Sequence, residues 1–195
     1  MKKILKTCIN LFKPLILFFF KIFFSKEYLE GRHFDKGYGG YLWGVRAIWL
    51  RNMLRIAPPL PWPAATSCHI SNSKNIHFHA DDLNIFQSPG VYFQNFKAEI
   101  FIGRGTWIGP NVGLITANHN IENLDEHAEG KNINIGERCW IGMNSVVLPG
   151  VTLGARTIVA AGSVVTKSFP SGQMIIGGVP AVLLKRISAS SVHES

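Results

Sequence analysis

His119 is the residue whose type and setting point most directly at chemistry. It stands in Thr116-Ala117-Asn118-His119-Asn120, between two asparagines. An imidazole titrates near neutral pH, so at a chain exit it is suited to take a proton from an attacking hydroxyl or amine. Glu122, Asp125 and Glu126 follow within seven residues and read as a solvated acidic loop. The three cysteines, Cys8, Cys68 and Cys139, are odd in number and widely separated, with no CxxC among them. They make no disulfide framework, and a reducing compartment suits them. Cys139 falls at a small-residue position of the pattern described next, so core packing is its expected role.

The pattern that must position His119 is a six-residue beat. Ile135, Ile141, Val147, Leu153, Val159 and Val165 recur at every sixth position, and Ile102, Ile108 and Leu114 keep the same beat earlier. Four residues after seven of these come small or β-branched side chains: Thr106, Val112, Cys139, Ser145, Val151, Thr157 and Ser163. A helix repeats near 3.6 residues and a strand at 2, so neither explains a period of six. A parallel β-helix does, with one aliphatic side chain per hexapeptide pointing into each coil. Gly136, Gly142 and Gly154 are expected to free the backbone at the corners. Ile70 and Ile76 suggest an irregular first coil, and Phe96, six before Ile102, the start of the regular repeat. The 21 residues from Leu114 to Ile135 are not a multiple of six. Residues 116–134 must therefore leave the coil as a loop, and long loops on a rigid repeat usually carry function. Phe169-Pro170 should stop the array. Residues 181–187 then read as a short helix covering the open end of the stack.

The net charge of +8 is unevenly placed. Residues 1–56 hold eleven Lys and Arg against three acids, while the other 139 residues hold nine of each sign. A nucleic-acid binder carries its basic stripe on the folded domain, so no nucleic-acid partner is expected. In the first 24 residues Lys2, Lys3, Lys6, Thr7, Asn10, Lys13 and Lys21 share one side of a helical wheel. Ile4, Leu5, Ile9, Leu11, Phe12, Phe18 and Phe19 mostly face away, and Phe20 and Phe24 break the pattern. The interruptions are too many for a span of about 20 apolar residues. A basic amphipathic segment lying in the membrane interface is expected, with its lysines toward anionic headgroups. The alternative is a helix packed on its own oligomer. Residues 31–44 read as a loop and 42–56 as a helix, ended by the proline-rich run after Ala57. The expected divisions are 1–26, 27–63, 64–170 with its loop, and 171–195.

Residues 90–187 resemble the hexapeptide-repeat acyltransferases, closest to the sugar and polysaccharide O-acetyltransferases of the galactoside, maltose, nodulation and capsule-cluster type. The resemblance rests on Tyr92-Phe93-Gln94-Asn95-Phe96, Ile108-Gly109-Pro110-Asn111-Val112, Thr116-Ala117-Asn118-His119, Cys139-Trp140-Ile141-Gly142-Met143-Asn144, residues 147–154 and residues 160–167. It implies a mainly β fold, a left-handed parallel β-helix with an N-terminal helical segment and a short C-terminal helix; the spacing alone does not set the hand. It implies direct acetyl transfer from acetyl-CoA, as acyl-donor substrate, to a sugar or polysaccharide hydroxyl, with His119 as general base. N-acetylation of an amino sugar, or serine acetyltransferase-like chemistry on the same fold, is the alternative. Met143 matches the backbone oxyanion donor, and Asn95 and Trp140 match acceptor-side residues. Ala161, Thr166 and Lys167 match the CoA groove, with Lys185 and Arg186 in reach of its phosphates. The resemblance further implies a homotrimer with sites between subunits, and with the N-terminal segment a cytoplasmic enzyme at the inner face of the membrane. No metal is expected: the three-histidine zinc site of another enzyme class on this scaffold needs a close pair, whereas His119 and His127 are eight apart and His77 and His79 two. Gly178-Val179-Pro180-Ala181 departs from the family's usual Gly-Asn-Pro-Ala, and residues 1–60 do not match the galactoside enzymes' N-terminal domain.

Overall fold

The computed structural model describes the backbone of residues 2–187 and the side chains of Ile9 and of 11–187. The side chains of Lys2, Lys3, Lys6, Thr7, Cys8 and Asn10, and the tail 188–195, lie outside the described residues. The chain divides into two compact units, residues 1–66 and 67–195.

The first unit is helical. Helix α1 (Lys2–Phe20) turns Phe20 inward, against Phe24 at 5.9 Å and against Phe34 and Tyr41 at 6.5 Å between ring centroids. Phe20 and Phe24, the two residues that broke the wheel, are thus core residues. Helix α2 (Gly39–Ala47) runs on through a wider helical turn, Ile48–Met53. It begins within the stretch whose glycines suggested a loop. Those glycines serve close packing: a Cβ on Gly40 would stand 2.6 Å from the Phe34 ring, and one on Gly44 2.3 Å from Phe20. Arg51 is buried and donates to the carbonyls of Pro58 (2.6 Å), Ala64 (3.2 Å) and Ala65 (2.6 Å), which ties down the proline-rich run.

The second unit is a coil of three parallel sheets. The first sheet stacks β1 (His69–Ile70), β3 (Tyr92–Gln94), β6 (Gly113–Ile115), β9 (Val146–Val147) and β12 (Val164–Val165). The second stacks β2 (Ile76–His77), β4 (Ile100–Ile102), β7 (Ile133–Ile135) and β10 (Thr152–Leu153). The third stacks β5 (Trp107–Ile108), β8 (Trp140–Ile141), β11 (Thr157–Val159) and β13 (Met174–Gly178), with β14 (Ala181–Arg186) antiparallel at its edge. All nine beat residues are buried, as are the small residues four positions on. Each such aliphatic side chain contributes about 1.5–3 kcal/mol. The small polar ones close the corners: Thr157 Oγ1 donates to Gly154 O at 2.7 Å and Ser163 Oγ to Ala160 O at 2.6 Å.

Four expectations change. The corner glycines are needed for the approach of the next coil, since a Cβ on Gly136 or Gly142 would lie 2.5–2.6 Å from the backbone nitrogen of Ala155 or Ala161. The left-handed backbone sits elsewhere, recurring every sixth residue at Arg138, Asn144, Gly150, Arg156 and Gly162. Phe96 does not begin the repeat. The coil starts at β1, with a 3₁₀ segment (Ala80–Gln87) as the third side of its first turn, and Phe96 lies exposed in the long corner between β3 and β4. Phe169-Pro170 does not stop the array, because Leu153 bridges Phe169 in parallel and β13 then completes another coil beside β11. Finally, 181–187 is not a short C-terminal helix. β13 would leave an open row of backbone donors and acceptors, and the chain turns at Gly178 (φ 101°) so that Ala181–Arg186 pairs with that edge.

Candidate active site

His119 lies in the connection from β6 to β7, the one long departure from the coil. The loop folds on itself: His119 and His127 form an antiparallel bridge, Ala128 N–H donates to Asn118 O at 2.9 Å and Asn120 N–H to Glu126 O at 2.8 Å. Asn120 Oδ1 accepts from Glu122 N–H at 3.0 Å, and Asn123 Oδ1 from Asp125 N–H at 3.2 Å, which shapes the tip. At the root, the buried Gln94 amide grips the exit. Its Oε1 accepts from the N–H groups of Thr116 and Ala117, each at 3.0 Å, and its Nε2 donates to Ala117 O at 2.8 Å.

His119 Nδ1 is 2.8 Å from the Leu124 carbonyl oxygen. A carbonyl can only accept, so Nδ1 carries a proton, and in the neutral ring Nε2 keeps its lone pair. The residue is exposed, which leaves that lone pair open to an incoming hydroxyl. The ring lies 4.4 Å from His127, which also meets Phe96 at 4.7 Å. The acidic residues Glu122, Asp125 and Glu126 are exposed, and a backbone carbonyl orients the imidazole.

The other candidate residues fall at separate places on the coil. Trp140 is in β8 on the outer side of the third sheet, in register with Trp107; both are more than half exposed. Met143 follows at the corner from the third sheet to the first. Gly142 N–H donates to Val159 O and Asn144 N–H to Pro110 O; the Met143 N–H between them has no partner among the described residues. Ala161 sits one coil further along that corner, exposed, beside Gly162, whose N–H donates to Met143 O at 2.9 Å. Thr166 and Lys167 leave β12 on the same corner as the His119 loop. Thr166 lines a depression of about 260 Å³ with Asn118, Lys131 and Leu148. Lys167 lies 5.8 Å over the Phe169 ring. Lys185 and Arg186 are exposed on β14. His119 and Met143 therefore belong to one coil but to different corners, and a single chain does not bring them together.

Asn95 follows β3, at the corner toward the second sheet. It is buried, its Oδ1 accepts from Asn72 N–H at 2.9 Å and its Nδ2 donates to Asn72 O at 2.7 Å. Cys139 is buried, and burial pushes its thiol above the ordinary range, so it stays protonated at neutral pH. No group of three or more potential metal-ligating side chains occurs among the described residues.

Residues 132–167 match the bacterial transferase hexapeptide (six repeats) family. That stretch of the coil is a transferase hexapeptide array. The chain is similar in sequence to the galactoside O-acetyltransferase of Lactococcus lactis, 33% identical over 127 residues, covering 60% of this chain and 56% of that protein. In structure it is similar to a hexapeptide-repeat acetyltransferase of Vibrio cholerae solved with acetyl coenzyme A, at 31% identity and TM-score 0.52 over 62% of this chain and 65% of that one. A galactoside acetyltransferase in complex with coenzyme A aligns at 26% identity and TM-score 0.55, over 68% and 65%. Like these, the hexapeptide domain is a left-handed parallel β-helix. The chain spans less than two thirds of the length of the curated relatives it matches. Gln94, Phe96, His127 and the Leu124 carbonyl join the site although sequence reasoning gave them no role in it. Neither Gln94, one polar residue in a strand, nor a backbone carbonyl leaves a signal in the sequence.

Proposed function

We propose that the protein is an acyltransferase that moves an acetyl group from acetyl-CoA to a hydroxyl of a sugar or polysaccharide. The observation that carries this reading is His119, whose Nδ1–H is held by Leu124 O so that Nε2 is free as a base on a transferase hexapeptide coil. The acceptor hydroxyl approaches Nε2, its oxygen attacks the thioester carbonyl, and its proton passes to Nε2. The Met143 N–H receives the oxyanion. Collapse expels the CoA thiolate, which recovers the proton from His119, so the imidazole ends as it began. Transfer is direct in this reading: Cys139 is buried with a raised thiol pKa, and among the described residues no serine or cysteine side chain is bonded to the histidine. The groove residues Ala161, Thr166 and Lys167 are all exposed, and Lys185 and Arg186 supply cations for phosphates. Asn95 shapes the corner through Asn72; Trp140 walls the acceptor side.

The working form is a homotrimer, because His119 and Met143 lie at one height on different corners and meet only between copies. Work at the inner face of a membrane, through residues 1–24, completes the reading. The test is release of free CoA thiol from acetyl-CoA across nucleotide sugars, lipid-linked sugars and polysaccharide fragments. With an acceptor found, His119→Ala lowers kcat about 10²–10⁴-fold at unchanged fold. A variant that keeps full thiol release removes the mechanism.

A further inference from the structure

We propose that the 1–66 unit docks on an anionic lipid bilayer through two helices together, α1 and the helix from Gly39 to Met53. The inference rests on the membrane part of the reading above and extends it beyond residues 1–24. Helix α1 already has its packing partner within the unit: Ile9 and Phe20 are buried, and Phe20 meets Phe24, Phe34 and Tyr41. Its opposite side is nonetheless apolar and open, with Leu15 65% and Phe18 70% exposed, and Leu11, Phe19 and Ile22 beside them. The second helix repeats the arrangement. Tyr41, Gly44, Ala47, Ile48 and Arg51 face in, whereas Leu42, Val45, Trp49 and Met53 form one exposed strip, Val45 at 60% and Trp49 at 59%. The two strips flank an open groove of about 650 Å³ whose walls include Leu15, Phe18 and Phe19 from one helix and Val45, Ile48 and Trp49 from the other. Scattered exposed apolar residues need no explanation, but a continuous patch from two elements does.

Charge selects the occupant. This unit holds all of the chain's excess +8, and Lys21, Arg46 and Arg55 are exposed within it. A second copy seated on the patch would bring two such units together, whereas anionic headgroups would neutralise them. The helix is not a span: none among the described residues is long and apolar enough to cross a membrane. A large apolar strip with flanking cations and an interfacial tryptophan suits a helix lying at the acyl boundary.

The test is flotation of the full chain with vesicles of mixed phosphatidylcholine and phosphatidylglycerol, and with phosphatidylcholine alone. The expected result is binding that needs the anionic lipid and weakens with salt. Val45→Ser/Trp49→Ser/Met53→Ser should lower the partition coefficient roughly tenfold or more, as should Leu15→Ser/Phe18→Ser. All five positions are exposed, so both variants keep the unit's core. If the first variant floats like the parent chain while the second does not, α1 docks alone and the two-helix platform is wrong. If the first variant changes only the oligomer size seen by lipid-free light scattering, a second copy covers the strip and the proposal is overturned. If the parent chain does not float at all, the membrane part of the functional reading fails with it; thiol release reports separately on acetyl transfer.

Discussion

A general base works only if its proton sits on the right nitrogen and its ring is held where the substrate arrives. For His119, the base proposed above, both would be supplied by atoms outside the residue. Leu124 O sets the tautomer, and the Gln94 amide holds the backbone of Thr116 and Ala117, three and two residues before the histidine. Gln94→Leu roughly keeps the volume but leaves the Ala117 N–H and the Ala117 carbonyl without these partners, while Thr116 N–H keeps only the Gln94 backbone carbonyl. Displacement of the base by an ångström costs about 10²-fold in rate. The expected outcome is therefore a kcat lower by roughly that factor, with the KM for acetyl-CoA unchanged and the coil's circular dichroism retained. A KM change of equal size with kcat intact would instead put Gln94 in the binding of substrate. His119 was legible from the sequence because the aliphatic ladder fails around it and because the neighbouring residues resemble a known motif. Its support was not. A carbonyl has no side-chain signature, and Gln94 reads as one polar residue in a strand until its partners across the corner are known. Asn95 shows the converse, a side chain whose matched motif suggested the acceptor and whose bonds go to Asn72.

At the scale of elements, periodicity was readable and punctuation was not. The beat residues from Ile102 to Val165 all point inward, since an aliphatic side chain at every sixth position has only one place to go in a coil. Glycine and proline misled because each has more than one physical use. The glycines of α2 admit the rings of Phe20 and Phe34, and Phe169-Pro170 occupies a corner that the coil passes through. The terminal segment became a strand because an open sheet edge was waiting for it. Arg51 gives the element-scale prediction. Its guanidinium holds three carbonyls that the proline-rich run cannot satisfy itself, as proline has no N–H to pair them locally. Arg51→Met should cost about 3 kcal/mol, through buried carbonyls left unpaired. The measurement is amide exchange over residues 39–65 in the full chain, roughly 100-fold faster in the variant. Arg46→Met, at an exposed position on α2, should change it little.

For the whole molecule, the decisive fact is that one coil carries both halves of the proposed chemistry on different corners. His119 leaves the coil after β6, and Trp140 and Met143 end it at and after β8. The first sheet lies between those two corners, and its outward residues Val146 and Val164 are aliphatic and half-buried. A three-fold assembly that apposes these sheets would set the His119 corner of one copy against the Met143 corner of the next, at equal height along the axis. Such a site can be divided between chains. His119→Ala removes the base from one side and Trp140→Ala the acceptor wall from the other, so each variant alone should be nearly inactive. In a trimer assembled from an equal mixture of both, a boundary recovers function when a chain with His119 is followed by a chain with Trp140. Random assembly gives that arrangement at about a quarter of the boundaries. Thiol release by the co-assembled mixture should thus rise to roughly a quarter of the parent rate, whereas a site contained within one chain would leave the mixture as inactive as its components.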